Sequence, residues 1–185
     1  MSKFSFTTRP ELVGTFGAVA STHWLGSAAG MAILEQGGNA FDAVVAAALV
    51  LQVAEPHLNG PLGDVPVLFY SATDKRVRVL CGQGTAPAAA TIAHYRSEGI
   101  SKVPGTGLLA AVVPGVFDAW MLLLRDYGSL PLEDIFSRAI GYAEHGVPLV
   151  PNIVGAIDSL RDVFTNEWTT SGDLYLPQSK QHVSF

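Results

Sequence analysis

Residues Ala43 to Ala54 form a nearly unbroken apolar run in which Gln52 is the single polar member. A helix of that composition has no face to offer water, so it must be covered on every side. It is too short for the roughly 20 residues that span a bilayer, which leaves a buried helix between layers of protein. The residues ahead of it, Gly37-Gly-Asn-Ala-Phe-Asp42, explain where it starts. The two glycines supply the left-handed conformation that ends a preceding helix, Asn39 caps the next one, and Asp42 stands three residues on, as in a capping box. Apolar or small residues at 25, 28, 29, 32 and 33 mark one face of that preceding helix, over Trp24 to Gln36, so the two helices form a hairpin. Before them, Gly14 to Ala20 reads as a strand that ends at Ser21 and Thr22, the expected helix cap.

Downstream, Val65 to Ala72 and Arg76 to Cys81 flank Thr73-Asp74-Lys75 as a β-hairpin, with Pro66 placing the proper start of the first strand after it. A short helix is expected over Thr91 to Gly99, then a Gly/Pro loop over Ile100 to Gly107. Pro114 at the first helical position opens Val116 to Tyr127, and Gly128 closes it. Ser129-Leu-Pro131 starts an amphipathic helix, Leu132 to His145, stopped by Gly146 and Pro148, and a last helix runs from about Asn152 to Phe164. With no internal repeat or low-complexity linker, residues 1–185 form a single domain or part of one.

Several functions are disfavoured by what the chain carries. The 11 Lys and Arg are scattered singly in a chain of net charge −5, so no basic stripe faces a nucleic acid. Cys81 is the lone cysteine, and no Cys/His spacing suits zinc, so neither an internal disulfide nor a metal site is expected. Met1 to Pro10 lacks the apolar segment of a signal peptide, and the expected compartment is the cytoplasm, with no membrane partner. Gly60-Pro-Leu-Gly63-Asp64 leads into a strand rather than a helix, and Pro87 interrupts the Gly82-Gln-Gly84 loop where a dinucleotide fingerprint needs its third glycine. The five histidines, at 23, 57, 94, 145 and 182, fall in no nucleophile or metal motif. Glu55 and His57 could serve as an acid/base pair, but Pro56 sets a turn between them and favours a structural role for both, while Asn39 and Asp42 are accounted for by capping. Ser2 could act as an N-terminal nucleophile after loss of Met1, although Ser2-Lys3-Phe4 reads as an ordinary start.

The run Gly37-Gly-Asn-Ala-Phe-Asp-Ala43, its flanking helices and the ending Glu55-Pro56-His57 closely resemble the gamma-glutamyltransferase family. Thr85-Ala-Pro-Ala-Ala-Ala-Thr91, Val113-Pro-Gly-Val116, Tyr127-Gly-Ser-Leu-Pro131, Ala139-Ile-Gly-Tyr-Ala-Glu-His-Gly-Val-Pro148 and Leu174-Tyr-Leu-Pro177 look like further landmarks in the family's order. The resemblance covers about residues 14 to 177. It implies an α+β fold, the helix-rich large-subunit portion of an N-terminal-nucleophile hydrolase α-β-β-α sandwich. It also implies a partner, the small-subunit portion, whose first residue is a threonine exposed by self-cleavage and serving as both nucleophile and base. The substrate is then a small-molecule amide, no cofactor is called for, and no catalytic residue is expected in this chain. An unfinished sheet favours association, which leaves a homo-oligomer open.

Two departures bear on specificity. In glutamyl-transferring members an Arg-Glu pair precedes Thr-Ala-Pro, and its arginine grips the donor's α-carboxylate; here Gln83 and Gly84 hold those places. Gln83 is therefore the candidate substrate-binding residue, in a wall that resembles the acylase-like branch at Gly63-Asp64. Leu62 stands where that loop usually has glycine, and positive φ there would strain it. That strain, the missing nucleophile and the unfamiliar stretch Gln178 to Phe185 support a second reading, a non-catalytic interaction protein or a degenerate remnant of the family.

Overall fold

A computed structural model describes residues 11–176. Ser2, His182, Pro177 and the stretch Gln178 to Phe185 lie outside the described residues. The first helix, α1 (Trp24–Glu35), ends as its sequence requires: Gly37 takes φ +92°, and the amides of Gly37 and Gly38 return to the carbonyls of Leu34 and Ile33. Its cap is His23 rather than Ser21 or Thr22. The imidazole Nδ1 accepts the Leu25 amide at 3.2 Å, while the Ser21 hydroxyl donates to the His23 carbonyl. The buried face is also shifted from the expected one, running through Leu25, Gly26, Ala29, Gly30 and Ile33. Gly30 is there because α1 lies so close to its neighbour that a Cβ would stand 3.0 Å from the Ala43 carbonyl.

That neighbour is α2 (Ala40–Ala54), and its capping box is complete: Asn39 Oδ1 accepts the amides of Phe41 and Asp42, and Asp42 accepts the Asn39 amide at 2.9 Å. Helix α2 is the centre of the core, although coverage is not total, since Val44 remains 49% exposed. The hairpin strands are β1 (Val65–Ser71) and β2 (Arg76–Gly82), antiparallel in register from Val65 opposite Gly82 to Ser71 opposite Arg76. Pro66 lies inside β1, opposite Cys81, rather than ahead of it. The hairpin has a free edge on each side among the described residues, and an edge position tolerates a residue with no N–H.

Then come α3 (Ile92–Ser97), capped by Thr91, a 3-10 turn at Leu108–Ala110, α4 (Val116–Tyr127) and α5 (Leu132–His145). Gly115, not Pro114, is the residue flanking α4, which puts Pro114 two places ahead of the first helical residue, Val116. Gly146 stops α5 at φ +84°. The expected terminal helix divides at Leu160 into α6 (Pro151–Ser159) and α7 (Arg161–Asn166), and α8 (Thr169–Tyr175) follows.

The core joins α1, α2, α4 and α5 to one face of the hairpin, through Ile33, Val45, Val50, Trp120, Leu123 and Ile135 on the helices and Val65, Val67, Phe69 and Leu80 on the strands. The other hairpin face carries Leu68, Tyr70, Val77 and Val79, each between 59% and 73% exposed. The expected strand Gly14 to Ala20 has no ladder. Among the described residues its β-prone stretch meets no strand whose amides and carbonyls it could pair with, and propensity without a partner forms no sheet.

Two contacts lock this layer. Phe41, Phe69 and Tyr127 meet in a triangle with ring centroids 5.0 to 5.2 Å apart, tying α2, β1 and the end of α4. Beside it, fully buried Asp42 accepts the Ser129 amide at 3.0 Å and its hydroxyl at 2.6 Å, and Asn39 Nδ2 donates to the Tyr127 carbonyl at 2.7 Å. Capping here is not a local effect, because it also joins segments 87 and 88 positions apart. Asn39→Ala is therefore expected to cost about 2 kcal/mol, the cap plus one buried hydrogen bond. Asp42→Ala, which strands several buried donors, is expected to cost at least about 3 kcal/mol. Urea midpoints of the two variants check the order; equal small losses, each near the value for a cap alone, would refute it.

Candidate functional site

Three loops converge at one end of the hairpin. The carbonyl of Gly63, in the loop after α2, accepts the amides of Gly115 and Val116 at 3.2 Å each. These are the first amides of α4, otherwise unsatisfied by the helix, so the loop caps α4 with main chain. The Val113 amide donates to the Thr85 carbonyl at 2.9 Å, drawing the segment after β2 against the same stretch. Glycines make this approach possible. A Cβ on Gly115 would stand 2.5 Å from the Gly82 carbonyl, and one on Gly82 would stand 2.6 Å from the Ala119 Cβ. The Thr-Ala-Pro and Val-Pro-Gly-Val landmarks are thus two sides of one backbone junction.

Gln83 lies in this junction and is exposed; its Oε1 lies 3.7 Å from the thiol of Cys81, which donates to it. Leu62 is also exposed, and its backbone is ordinary: Lys75, in the hairpin turn, is the one non-glycine at positive φ among the described residues. The anticipated strain at Leu62 does not exist.

The remaining candidates separate. Glu55 is buried at the end of α2, where it accepts the Thr22 hydroxyl. His57 is exposed and borders an apolar cavity of about 240 Å³ together with Pro56 and Ile153, Leu160, Phe164 and Trp168 of the last helices. Glu55 and His57 therefore form no acid/base pair. His94 and His145 are exposed on their helices, the latter with Nδ1 2.9 Å from the Gly141 carbonyl. His23 is buried with Nε2 unpartnered, a feature sequence reasoning missed because its only sign is an imidazole one place before a helix. No three His, Cys, Asp or Glu side chains gather as a metal site among the described residues, and no helix there is long and apolar enough to cross a membrane.

The helical layer on one face of a hairpin, with glycine-lined loops at its end, is part of an N-terminal-nucleophile hydrolase, the class of the gamma-glutamyltranspeptidase and acylase structures it matches. The gamma-glutamyltranspeptidase family model matches residues 26–184, and the chain belongs to that family. It is 40% identical over 140 residues to the glutathione hydrolase-like YwrD proenzyme of Bacillus subtilis, a match covering 75% of this chain and 26% of that protein. Among solved structures, LmbA2991HD is 60% identical with a TM-score of 0.90, over 95% of this chain and 30% of that one. The cephalosporin acylase of Bacillus halodurans is 31% identical with a TM-score of 0.78, over 95% and 35%. The chain spans about a third or less of these proteins' lengths.

The junction predicts a contrast between glycine positions. Gly82→Ala should destabilise by about 2 kcal/mol through overpacking against Ala119 and Val65, whereas Gly60→Ala, with nothing within 4 Å, should stay within about 0.5 kcal/mol of wild type. Because Leu62 is unstrained, Leu62→Gly should fail to stabilise and lose about 0.5 kcal/mol through a freer unfolded chain. Thermal unfolding of the three variants checks this, and a stabilised Leu62→Gly would restore the strain reading.

Proposed function

We propose that this chain is the amino-terminal part of the large subunit of an N-terminal-nucleophile amidohydrolase or acyltransferase, which acts through a threonine borne by the small-subunit portion. The observation that carries the reading is family membership over residues 26–184, with relatives that are proenzymes. In the complete protein the threonine attacks a small-molecule amide, the amine leaves, and water or an acceptor amine takes the acyl group from the threonine. This chain contributes scaffold and one wall of the substrate site. The uncovered apolar face of the hairpin, Leu68, Tyr70, Val77 and Val79, supports a partner portion that supplies the second sheet. A second copy of the chain is the other covering this face would accept. The proposal treats residues 1–185 as a single domain or part of one, with no cofactor. A cytoplasmic location is part of the same proposal. The rival reading, a non-catalytic remnant, has no strain at Leu62 to support it.

Within the wall, Gln83 is the proposed donor-binding residue. Arginine offers a carboxylate a fixed charge and a two-pronged fork, while the glutamine amide offers neutral N–H donors. Losing a charge-assisted contact is worth about 1.5 to 3 kcal/mol, so the complete enzyme should be about tenfold to a hundredfold less selective for γ-glutamyl donors than a member with arginine there. Steady-state kcat/KM for γ-glutamyl and glutaryl anilides and for oxamate should favour donors other than γ-glutamyl, and Gln83→Arg should shift the ratio back towards γ-glutamyl. A strong γ-glutamyl preference unaffected by Gln83→Arg would sink this assignment. The 185-residue chain alone should turn over none of these donors; turnover abolished by replacing Ser2 would make Ser2 the nucleophile instead.

A further inference from the structure

Packing does not require a glycine at position 60. A Cβ there would meet nothing within 4 Å, and Gly60 is not among the glycines of positive φ. The residue ahead of it, Asn59, is exposed and is the one asparagine of the chain that precedes a glycine. Such a pair has a reaction of its own. The Gly60 nitrogen can approach Asn59 Cγ because no side chain shields it and glycine reaches the backbone angles that the approach needs. Asparagine is a thermolabile residue through this chemistry. Asn39, Asn152 and Asn166 instead precede Ala40, Ile153 and Glu167, and each lies in a helix or at its cap. Asn59 is restrained from the other side: its Nδ2 donates to the carbonyls of Glu55 at 3.1 Å and Leu51 at 3.3 Å, at the carboxyl end of α2. Both bonds are long and the side chain is exposed, so they slow the reaction without preventing it. The same loop reaches α4, since the Gly63 amide donates to the Gly60 carbonyl at 3.3 Å and the Gly63 carbonyl caps Gly115 and Val116.

We propose that Asn59 is a self-modifying site, whose conversion to an acid releases the end of α2 and loosens the cap on α4. The Gly60 nitrogen forms a bond to Asn59 Cγ as the Cγ–Nδ2 bond breaks, and ammonia leaves with the proton of the Gly60 amide. Water then opens the succinimide ring to isoaspartate or aspartate. Water is the only co-reactant, and ammonia the only other product. Either acid removes both donors from the end of α2 and sets a carboxylate against its carbonyls, at the negative end of the helix and four places after Glu55. Isoaspartate also lengthens the main chain between positions 59 and 60. The loop Glu55 to Asp64 is then free to move, and the Gly63 carbonyl moves with it.

The test follows the full 185-residue chain in mildly alkaline heavy-oxygen water, by peptide mapping and by labelling with an isoaspartyl methyltransferase. Position 59 should take up heavy oxygen as isoaspartate and aspartate, while Asn39, Asn152 and Asn166 stay intact. Unfolding in urea should speed the conversion about tenfold, the worth of the tie to α2. Gly60→Ala, which has room for its methyl group, should slow it at least about fivefold, in the folded chain and in urea alike. After conversion, hydrogen exchange at the Gly115 and Val116 amides should be about fivefold faster, and Asn59→Asp should reproduce that change. An Asn59 that stays intact, or converts no faster than the other three asparagines, would overturn the proposal. So would equal rates in wild type and Gly60→Ala, equal rates in folded and unfolded chain, or unchanged exchange at Gly115 and Val116 once position 59 is an acid.

Discussion

The carboxylate of Asp42 is fully buried, and the rest of the helical layer is arranged to satisfy it. A buried carboxylate without partners is among the most costly groups in a protein interior. Here the donors are the Asn39 amide in its own capping box and the Ser129 amide and hydroxyl, from the turn between α4 and α5. One side chain therefore starts α2, holds the end of α4 and sets the beginning of α5. The aromatic triangle of Phe41, Phe69 and Tyr127 extends the same corner to β1, so the hairpin is oriented by a junction that also orients three helices.

From that corner the candidate site follows at the opposite end of the strands. The hairpin packs its Val65, Val67, Phe69 and Leu80 face on the helices, which brings Gly82 against Ala119 and lays the segment after β2 along Val113 to Gly115. Backbone meets backbone there, with glycines on both sides, and the Gly63 carbonyl caps α4 across the gap. A wall built this way is rigid because its contacts are main-chain hydrogen bonds and steric limits rather than long side chains. The proposed donor contact, Gln83, is exposed in this junction, between neighbours with little room to move. The opposite hairpin face, apolar and open, is the natural boundary between this chain and whatever completes the sandwich.

Much of this was legible from residue order. The Gly-Gly-Asn-x-x-Asp run located the end of α1 and the start of α2, alternation around Thr73-Asp74-Lys75 located the hairpin, and Gly146 located the stop of α5. The family and its class were legible from motif order, and the comparisons bear them out. Misreadings had two sources, partners distant in sequence and local backbone geometry that residue type does not fix. Gly14 to Ala20 has a strand's residues but no ladder, and Leu62 was suspected of a strain that its φ does not carry. His23 displaced the likelier-looking Ser21 and Thr22 as cap, while Thr22 turned instead to Glu55.

Sequence by itself determined the features whose energy is settled within about one helical turn or one strand pairing: caps, glycine stops, turns and apolar periodicity. These depend on contacts at i to i+4, which residue order contains directly. Tertiary structure alone decided that Asp42 serves Ser129 as well as Asn39, that Thr22 reaches Glu55, and that Val113 lies over Gly84. Those outcomes depend on how whole layers approach one another, and a separation of a few tenths of an ångström between distant backbones is written in no single local pattern.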